Sequence, residues 1–270
     1  MIMKNFISIF LLLAIFYNCS GQEKNTFENN SKLQNNDILL MSTLFHQKAA
    51  EMRAINYQAY NLATLRLDNE LRIAGLSKTL AVIVDIDETV LDNSPFEAKS
   101  ILENTNYPKY WKEWCELAQA KAIHGAVEFL SYAESKGVEV FYITNRKEKF
   151  KTATIENLKK EGFPFADKKH LLMRTTTSSK KERRQSIEKT HKIVLIIGDN
   201  LGDFLDIFDK NNINRRFEIT DSLKNEFGKR FIILPNSMYG TWVNTILDFQ
   251  YDLTPEQKLD IFHKNLESFE

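Results

Sequence analysis

Five short and nearly unbroken apolar runs, at residues 80–84, 138–143, 170–173, 193–197 and 231–234, constrain this chain more than any other feature. A strand with one wet face alternates apolar and polar side chains. A continuous run instead fits a strand covered on both faces. Helical stretches lie between the runs, near 125–136, 148–161 and 180–189. Strand–helix–strand repetition predicts an α/β fold, a central parallel β-sheet flanked by helices. A length of 270 residues suits one such core plus a smaller helical region. In an open parallel sheet, ligands bind beyond the carboxyl ends of the strands. The residues just after each run are therefore the ones to read for chemistry.

The flanks are helical. Residues 38–73 hold no glycine or proline, and Met52, Ile55, Ala59 and Leu62 recur at helical spacing, which predicts a long helix with that buried stripe and a stop at Gly75. Near the other end, Thr254 caps a helix, Pro255 is its first residue and Gln257 completes a capping box. Leu259, Phe262 and Leu266 are its expected buried stripe.

The N-terminus reads as an export signal over residues 1–18. Lys4 precedes an apolar run at 6–17 broken only by Ser8. As a helix that run rises about 18 Å, short of the roughly 30 Å of a hydrocarbon core. Cys19 follows at once, then a polar, Asn-rich stretch to residue 37 that reads as a flexible tether. The arrangement resembles a bacterial lipoprotein signal. It implies a lipidated Cys19 and a chain anchored to the cell envelope at the outer membrane. Phe16, Tyr17 and Asn18 are bulkier than the residues usual before such a cysteine, so a plain cleaved signal and an uncleaved anchor stay open. The other cysteine, Cys115, sits among aromatic residues and reads as a small core residue. Two cysteines make neither a disulfide framework nor a zinc site. Lys+Arg and Asp+Glu are both 36, and this balance gives no reason to expect a nucleic-acid polymer as partner.

Four of the runs are followed by, or lead on to, chemistry. After the first come Asp85 and Asp87; after the fourth come Asp199 and Asp203. Either pair alone could be a solvated turn. Both together would crowd four carboxylates at one sheet edge, an arrangement that calls for a hard cation with oxygen ligands. The second run ends in Thr144 and Asn145, a hydroxyl and an amide suited to phosphate oxygens or, in the bland reading, to a helix cap. Beyond the third run, Lys180 stands before a helix and can neutralise an anion. Lys181, Arg183 and Arg184 read as a solvated helix face. Tyr110, Trp111, Trp114 and Tyr239 are candidates to stack on a flat leaving group, or else core aromatics.

The ordered set Asp85/Asp87/Thr89, Thr144, Lys180 and Asp199/Asp203 resembles the haloacid-dehalogenase (HAD) phosphohydrolases. The segments Asp85–Pro95, Thr144–Arg146, Gly198–Phe204 and Leu234–Trp242 resemble more closely the class C acid phosphatases, the bacterial outer-membrane lipoprotein type with 5′-nucleotidase activity. The resemblance spans about 38–265 and departs at His124-Gly125, where the family has Pro-Gly. It implies a domain over 38–270 with a helical cap from 38–75 and 96–123. It also implies Mg²⁺ held by Asp85, the backbone carbonyl of Asp87 and Asp199, with Asp203 in support. Asp85 becomes the nucleophile and Asp87 the general acid and base, its pKa raised. Thr144, Asn145 and Lys180 grip phosphate, and Trp111 and Tyr239 sandwich a base or nicotinamide ring. The substrate is then a small phosphomonoester, a nucleotide or an aryl phosphate. Relatives of this type often form homodimers. Phosphotransfer from the same site and a non-catalytic binding lipoprotein are the alternatives.

Overall fold

Each apolar run becomes a strand. A computed structural model describes residues 37–73 and 79–269; the 1–18 signal segment, Cys19, the tether as far as residue 36 and Gly75 lie outside the described residues. In chain order the strands are β1 (Thr79–Val84), β2 (Leu91–Asp92), β3 (Lys121–Ala122), β4 (Glu139–Lys147), β5 (Leu171–Arg174), β6 (His191–Gly198) and β7 (Phe231–Ile233). The helices are α1 (Leu40–Lys48), α2 (Ala50–Ile73), α3 (Ser94–Leu102), α4 (Trp111–Leu117), α5 (Ala126–Ser135), α6 (Lys151–Lys160), α7 (Lys181–Glu188), α8 (Leu201–Phe204), α9 (Ile213–Ser222), α10 (Thr241–Ile246) and α11 (Pro255–Lys264).

The main sheet has the order β5-β4-β1-β6-β7, and all its neighbours run parallel. From β1 the chain moves outward to β4 and β5, then returns to the other side of β1 for β6 and β7. The order therefore reverses at β1, and the crevice at its carboxyl end is where such sheets bind ligands. Strand side chains alternate between faces. Leu80, Val82, Val84, Val140 and Tyr142 enter one core with residues of α2 and α5. Ala81, Ile83, Phe141 and Ile143 enter a second with Ile187 of α7 and Phe204 of α8. This two-sided burial is why the runs are continuously apolar.

The 38–73 region departs from the expectation in three ways. The helix breaks at Ala49, whose backbone is extended (φ −78°, ψ 127°). The buried stripe of α2 is Met52, Asn56, Ala59, Tyr60, Ala63 and Leu67, while Ile55 is 39% exposed. Small Ala59 and Ala63 let the helix sit close to the sheet, and Tyr60 reaches beneath it to bond the Thr89 carbonyl at 2.6 Å. Finally, α2 packs on α5, β6 and β7 as a layer of the core, so it supports the site and is no cap. Only Ile38, Leu39 and Ser42, at the front of this region, border the cleft above the strand ends.

The 96–123 insertion does border that cleft, through Phe96, Glu97, Asn106, Tyr107 and Trp111. It is pinned at its far end, where Asn157 of α6 bonds both the N–H and the carbonyl of Ala120 (3.1 and 2.7 Å). Gly125 has φ +86°, a conformation that favours glycine, and a Cβ there would sit tightly, 3.1 Å from Tyr60. Helix α11 has the expected capping box. It buries no residue fully, and Leu266, past its end, is 74% exposed. Cys115 is a buried free thiol, and burial pushes its pKa up to about 11.

Candidate active site

Three carboxylates meet at the carboxyl ends of β1 and β6. Asp85 continues the ladder, its N–H bonding the Ile197 carbonyl at 2.9 Å, and its side chain is buried. Asp199 follows Gly198 and is held from two sides: Thr89 donates to one oxygen at 3.2 Å and Asn236, just past β7, to the other at 2.9 Å. Asp203 folds back to cap its own helix, accepting from Asn200 N–H at 2.9 Å. Gly198 makes room for it, since a Cβ there would lie 2.4 Å from Asp203 Oδ2. One oxygen each from Asp85, Asp199 and Asp203 falls within 4.8 Å of the others.

Lys180, at the start of α7, inserts its buried ammonium between two of them, bonding Asp85 Oδ1 and lying 2.6 Å from Asp203 Oδ1. Burial disfavours its charged form, but Asp203 and Asp85 outweigh that and hold its pKa above the ordinary lysine value. One ammonium does not balance three carboxylates, two of them buried and Asp199 half-buried. Burial raises the pKa of Asp85 well above the usual range; Lys180 opposes this, and Asp203, Asp199 and Asp87 add to it. Burial, and then the Asp203 charge, push Asp199 up to about 7. The excess negative charge, all on hard oxygen donors, fits a hard divalent cation.

Asp87 stands apart from that group. Its carboxylate faces the buried guanidinium of Arg146, with Nε and Nη2 each 2.8 Å from Oδ1, and Asn93 Nδ2 is 2.8 Å from the same oxygen. Thr144 donates to its other oxygen at a longer 3.4 Å. Thr144 therefore lies beside Asp87. Asn145 is exposed at the cleft, its side-chain oxygen taken by Arg183 at 2.8 Å.

The helix-face reading of the basic cluster holds for Lys181 alone. Arg183 also bonds the Thr144 carbonyl at 2.6 Å, and Arg184 is buried against the carbonyls of Asp203 (2.9 Å) and Gly202 (3.4 Å). Both tie α7 to the segments that carry the site, the end of β4 and α8, and that outweighs solvation. Among the aromatics, Trp111 and Tyr239 line the cleft. Trp111 is half-buried and packed edge-on to Phe96 and Tyr107, with Arg146 over its ring. Trp114 is a support, donating to Asn93 at 2.7 Å. Tyr107, 59% exposed at the same cleft, is the freer ring and was not among the sequence candidates. Also missed were the roles of Tyr60, Asn93, Arg146 and Asn236. Asn93, Arg146 and Asn236 lie inside the quoted motifs, but nothing in one sequence separates a supporting amide from a loop amide.

Comparisons with known proteins agree with this arrangement. A family model described as HAD superfamily, subfamily IIIB (acid phosphatase), matches residues 16–242. The chain is similar to the class C acid phosphatase from Bacillus anthracis, with 42% identity and a TM-score of 0.85 over 88% of this chain and 100% of that one. A structure of that enzyme with tungstate bound matches equally well. Acid phosphatase 1 of Solanum lycopersicum is 30% identical over 136 residues, 46% of this chain. Vegetative storage protein 1 of Arabidopsis thaliana is 30% identical over 195 residues, 67% of this chain. The matched segments span 51% of the first relative's length and 66% of the second's.

Proposed function

The chain belongs to the HAD superfamily, subfamily IIIB, the acid phosphatases, and from that premise we propose that it hydrolyses small phosphomonoesters with Mg²⁺ through an aspartyl-phosphate on Asp85. The observation that carries the proposal is the meeting of Asp85, Asp199 and Asp203, with Lys180 bridging Asp85 and Asp203, beside Asp87 and Thr144. The similar enzyme from Bacillus anthracis binds tungstate, a tetrahedral oxyanion like phosphate, which favours the same reading.

Asp85, Asp199 and the backbone carbonyl of Asp87 would hold the ion, with Asp203 in support. When bound, Mg²⁺ supplies charge neutralisation and Lewis acidity toward a phosphoryl oxygen. A carboxylate oxygen of Asp85 attacks phosphorus, the bond to the leaving oxygen breaks, and Asp87 gives that oxygen its proton. Asp87 then takes a proton from the water that attacks the acyl phosphate and returns Asp85 to a carboxylate. Thr144 and Lys180 hold the phosphoryl oxygens throughout, and Asn145 borders them.

The cleft of about 1220 Å³ has room for a leaving group as large as a nucleoside, and it is lined by Tyr107, Trp111 and Tyr239. We take nucleoside 5′-monophosphates as the favoured substrates on that basis, with stacking worth ~1–3 kcal/mol. Phosphotransfer to an alcohol uses the same groups. The similarity to a storage protein favours a non-catalytic reading as the second choice, against which stand the intact Asp85 and Lys180. Release of phosphate from AMP and from an aryl phosphate, with and without chelator, tests the proposal; full activity in Asp85→Asn would end it. Export and a lipid anchor on Cys19 at the outer membrane remain part of the proposal. No helix among the described residues is long and apolar enough to cross a membrane. We also propose that the protein forms a homodimer, which sedimentation reads.

A further inference from the structure

We propose that Arg146 and Asn93 are positioning residues that lock Asp87 Oδ1 and reserve Oδ2 for moving the proton. The inference rests on the reading above, in which Asp87 is the general acid and base. Oδ1 accepts from Arg146 Nε and Asn93 Nδ2, each at 2.8 Å, and Arg146 Nη2 lies 2.8 Å from it as the ion-pair partner. A carboxylate oxygen offers about two lone-pair sites, so Oδ1 is saturated. A proton placed on it would point into a guanidinium and an amide that have only hydrogens to offer. Oδ2 has Thr144 Oγ1 at 3.4 Å, longer than an ordinary O–H···O bond of about 2.5–3.0 Å, and that hydroxyl already accepts from Arg146 N–H at 3.0 Å. Oδ2 is the oxygen with capacity to spare, on the Thr144 side.

The clamp is itself held from behind. The Arg146 guanidinium donates to Asn93 Oδ1 at 3.1 Å and reaches Thr154 at 3.4 Å. Asn93 uses every hydrogen-bonding site of its side chain. Its oxygen accepts from Trp114 at 2.7 Å and from Arg146, while its nitrogen serves Asp87 and, at 3.4 Å, the buried Glu88. The amide orientation follows from this chemistry: a flip would set donors against Trp114 and Arg146, and an acceptor against two carboxyl groups. Arg146, Asn93 and Glu88 are all buried, so the arrangement is rigid. In the first half-reaction, the leaving oxygen takes the bonding pair from phosphorus and the proton from Oδ2. In the second, Oδ2 takes a proton from water as the bond between phosphorus and Asp85 breaks.

Arg146→Lys keeps a charge but cannot fork over one oxygen. Asn93→Ser, which leaves the guanidinium in place, disturbs the other side of the clamp. The measurement is kcat/KM for AMP, whose alkoxide leaving group needs a proton, against 2,4-dinitrophenyl phosphate, whose leaving group needs none. In either variant the loss on AMP should exceed the loss on the dinitrophenyl ester by about tenfold or more. Equal losses on both esters would make the clamp structural only and overturn the proposal. Asp87→Ala serves as reference. If that variant also loses both activities equally, the assignment of Asp87 itself is what fails.

Discussion

Gly198→Ala puts one methyl group where the site has no room for it. The new Cβ would lie 2.4 Å from Asp203 Oδ2, 2.6 Å from its Cβ and 2.8 Å from its Cγ. The Asp203 side chain cannot swing away freely, because Oδ2 caps Asn200 N–H at 2.9 Å and Oδ1 holds Lys180 at 2.6 Å. Moving it strands a buried donor, which costs about 1–3 kcal/mol. It also takes one carboxylate from a buried ammonium, where removing a sole partner costs about 3–5 kcal/mol. Asp85 stays on Lys180, so the second cost is only partly felt. We expect roughly 2–4 kcal/mol in total, read as a lower urea midpoint with an unchanged m-value. A double-mutant cycle locates the cause. In an Asp203→Gly background there is no side chain to meet the methyl, and Gly198→Ala should cost under ~0.5 kcal/mol. The same penalty in both backgrounds would refute the argument, as would a Gly198→Ala protein as stable as the parent.

Five further outcomes are expected. Asp85→Asn should form no acid-stable phosphoenzyme and lose phosphate release by at least ~10³-fold, checked by rapid quench with labelled substrate. Tyr107→Ala should raise KM for AMP roughly fivefold or more, with little change in melting temperature. Trp111→Ala should instead destabilise by about 2–3 kcal/mol, since its ring packs on Phe96 and under Arg146. Burial pushes Glu97, on the wall of the cleft, up from 4.5 to about 7. A raised carboxyl contributes stability that is full below the unfolded pKa and lost as pH rises through about 7. Glu97→Gln should therefore match the parent near pH 4.5 and exceed it at pH 8 by about 1–2 kcal/mol, a figure reduced for partial exposure. Labelled palmitate should enter the parent in a lipoprotein-processing host and be absent from Cys19→Ser; equal incorporation in both would remove Cys19 as the anchor.

Strand positions and the order of the acidic motifs were legible in the sequence, because both are short-range properties. A strand buried on both faces must be apolar along its length, and a carboxylate cannot sit unpaired within it, so Asp85 and Asp199 had to fall where β1 and β6 end. The parallel order then placed them at one edge. What the tertiary structure decided depends on contacts between distant segments. In the sequence, residues 38–75 read as part of a helical cap, and the fit of Ala59, Ala63 and Tyr60 against the sheet makes 50–73 a core layer. The split among the four acids was hidden for the same reason. Lys180 arrives from the start of α7 and Arg146 from the end of β4, and whichever cation faces a carboxylate sets its task. Asp85, Asp199 and Asp203 share an excess of negative charge, while Asp87 is turned aside and held by Arg146. Spacing along a chain carries no record of that choice, since it is made by groups 59 and 95 residues away.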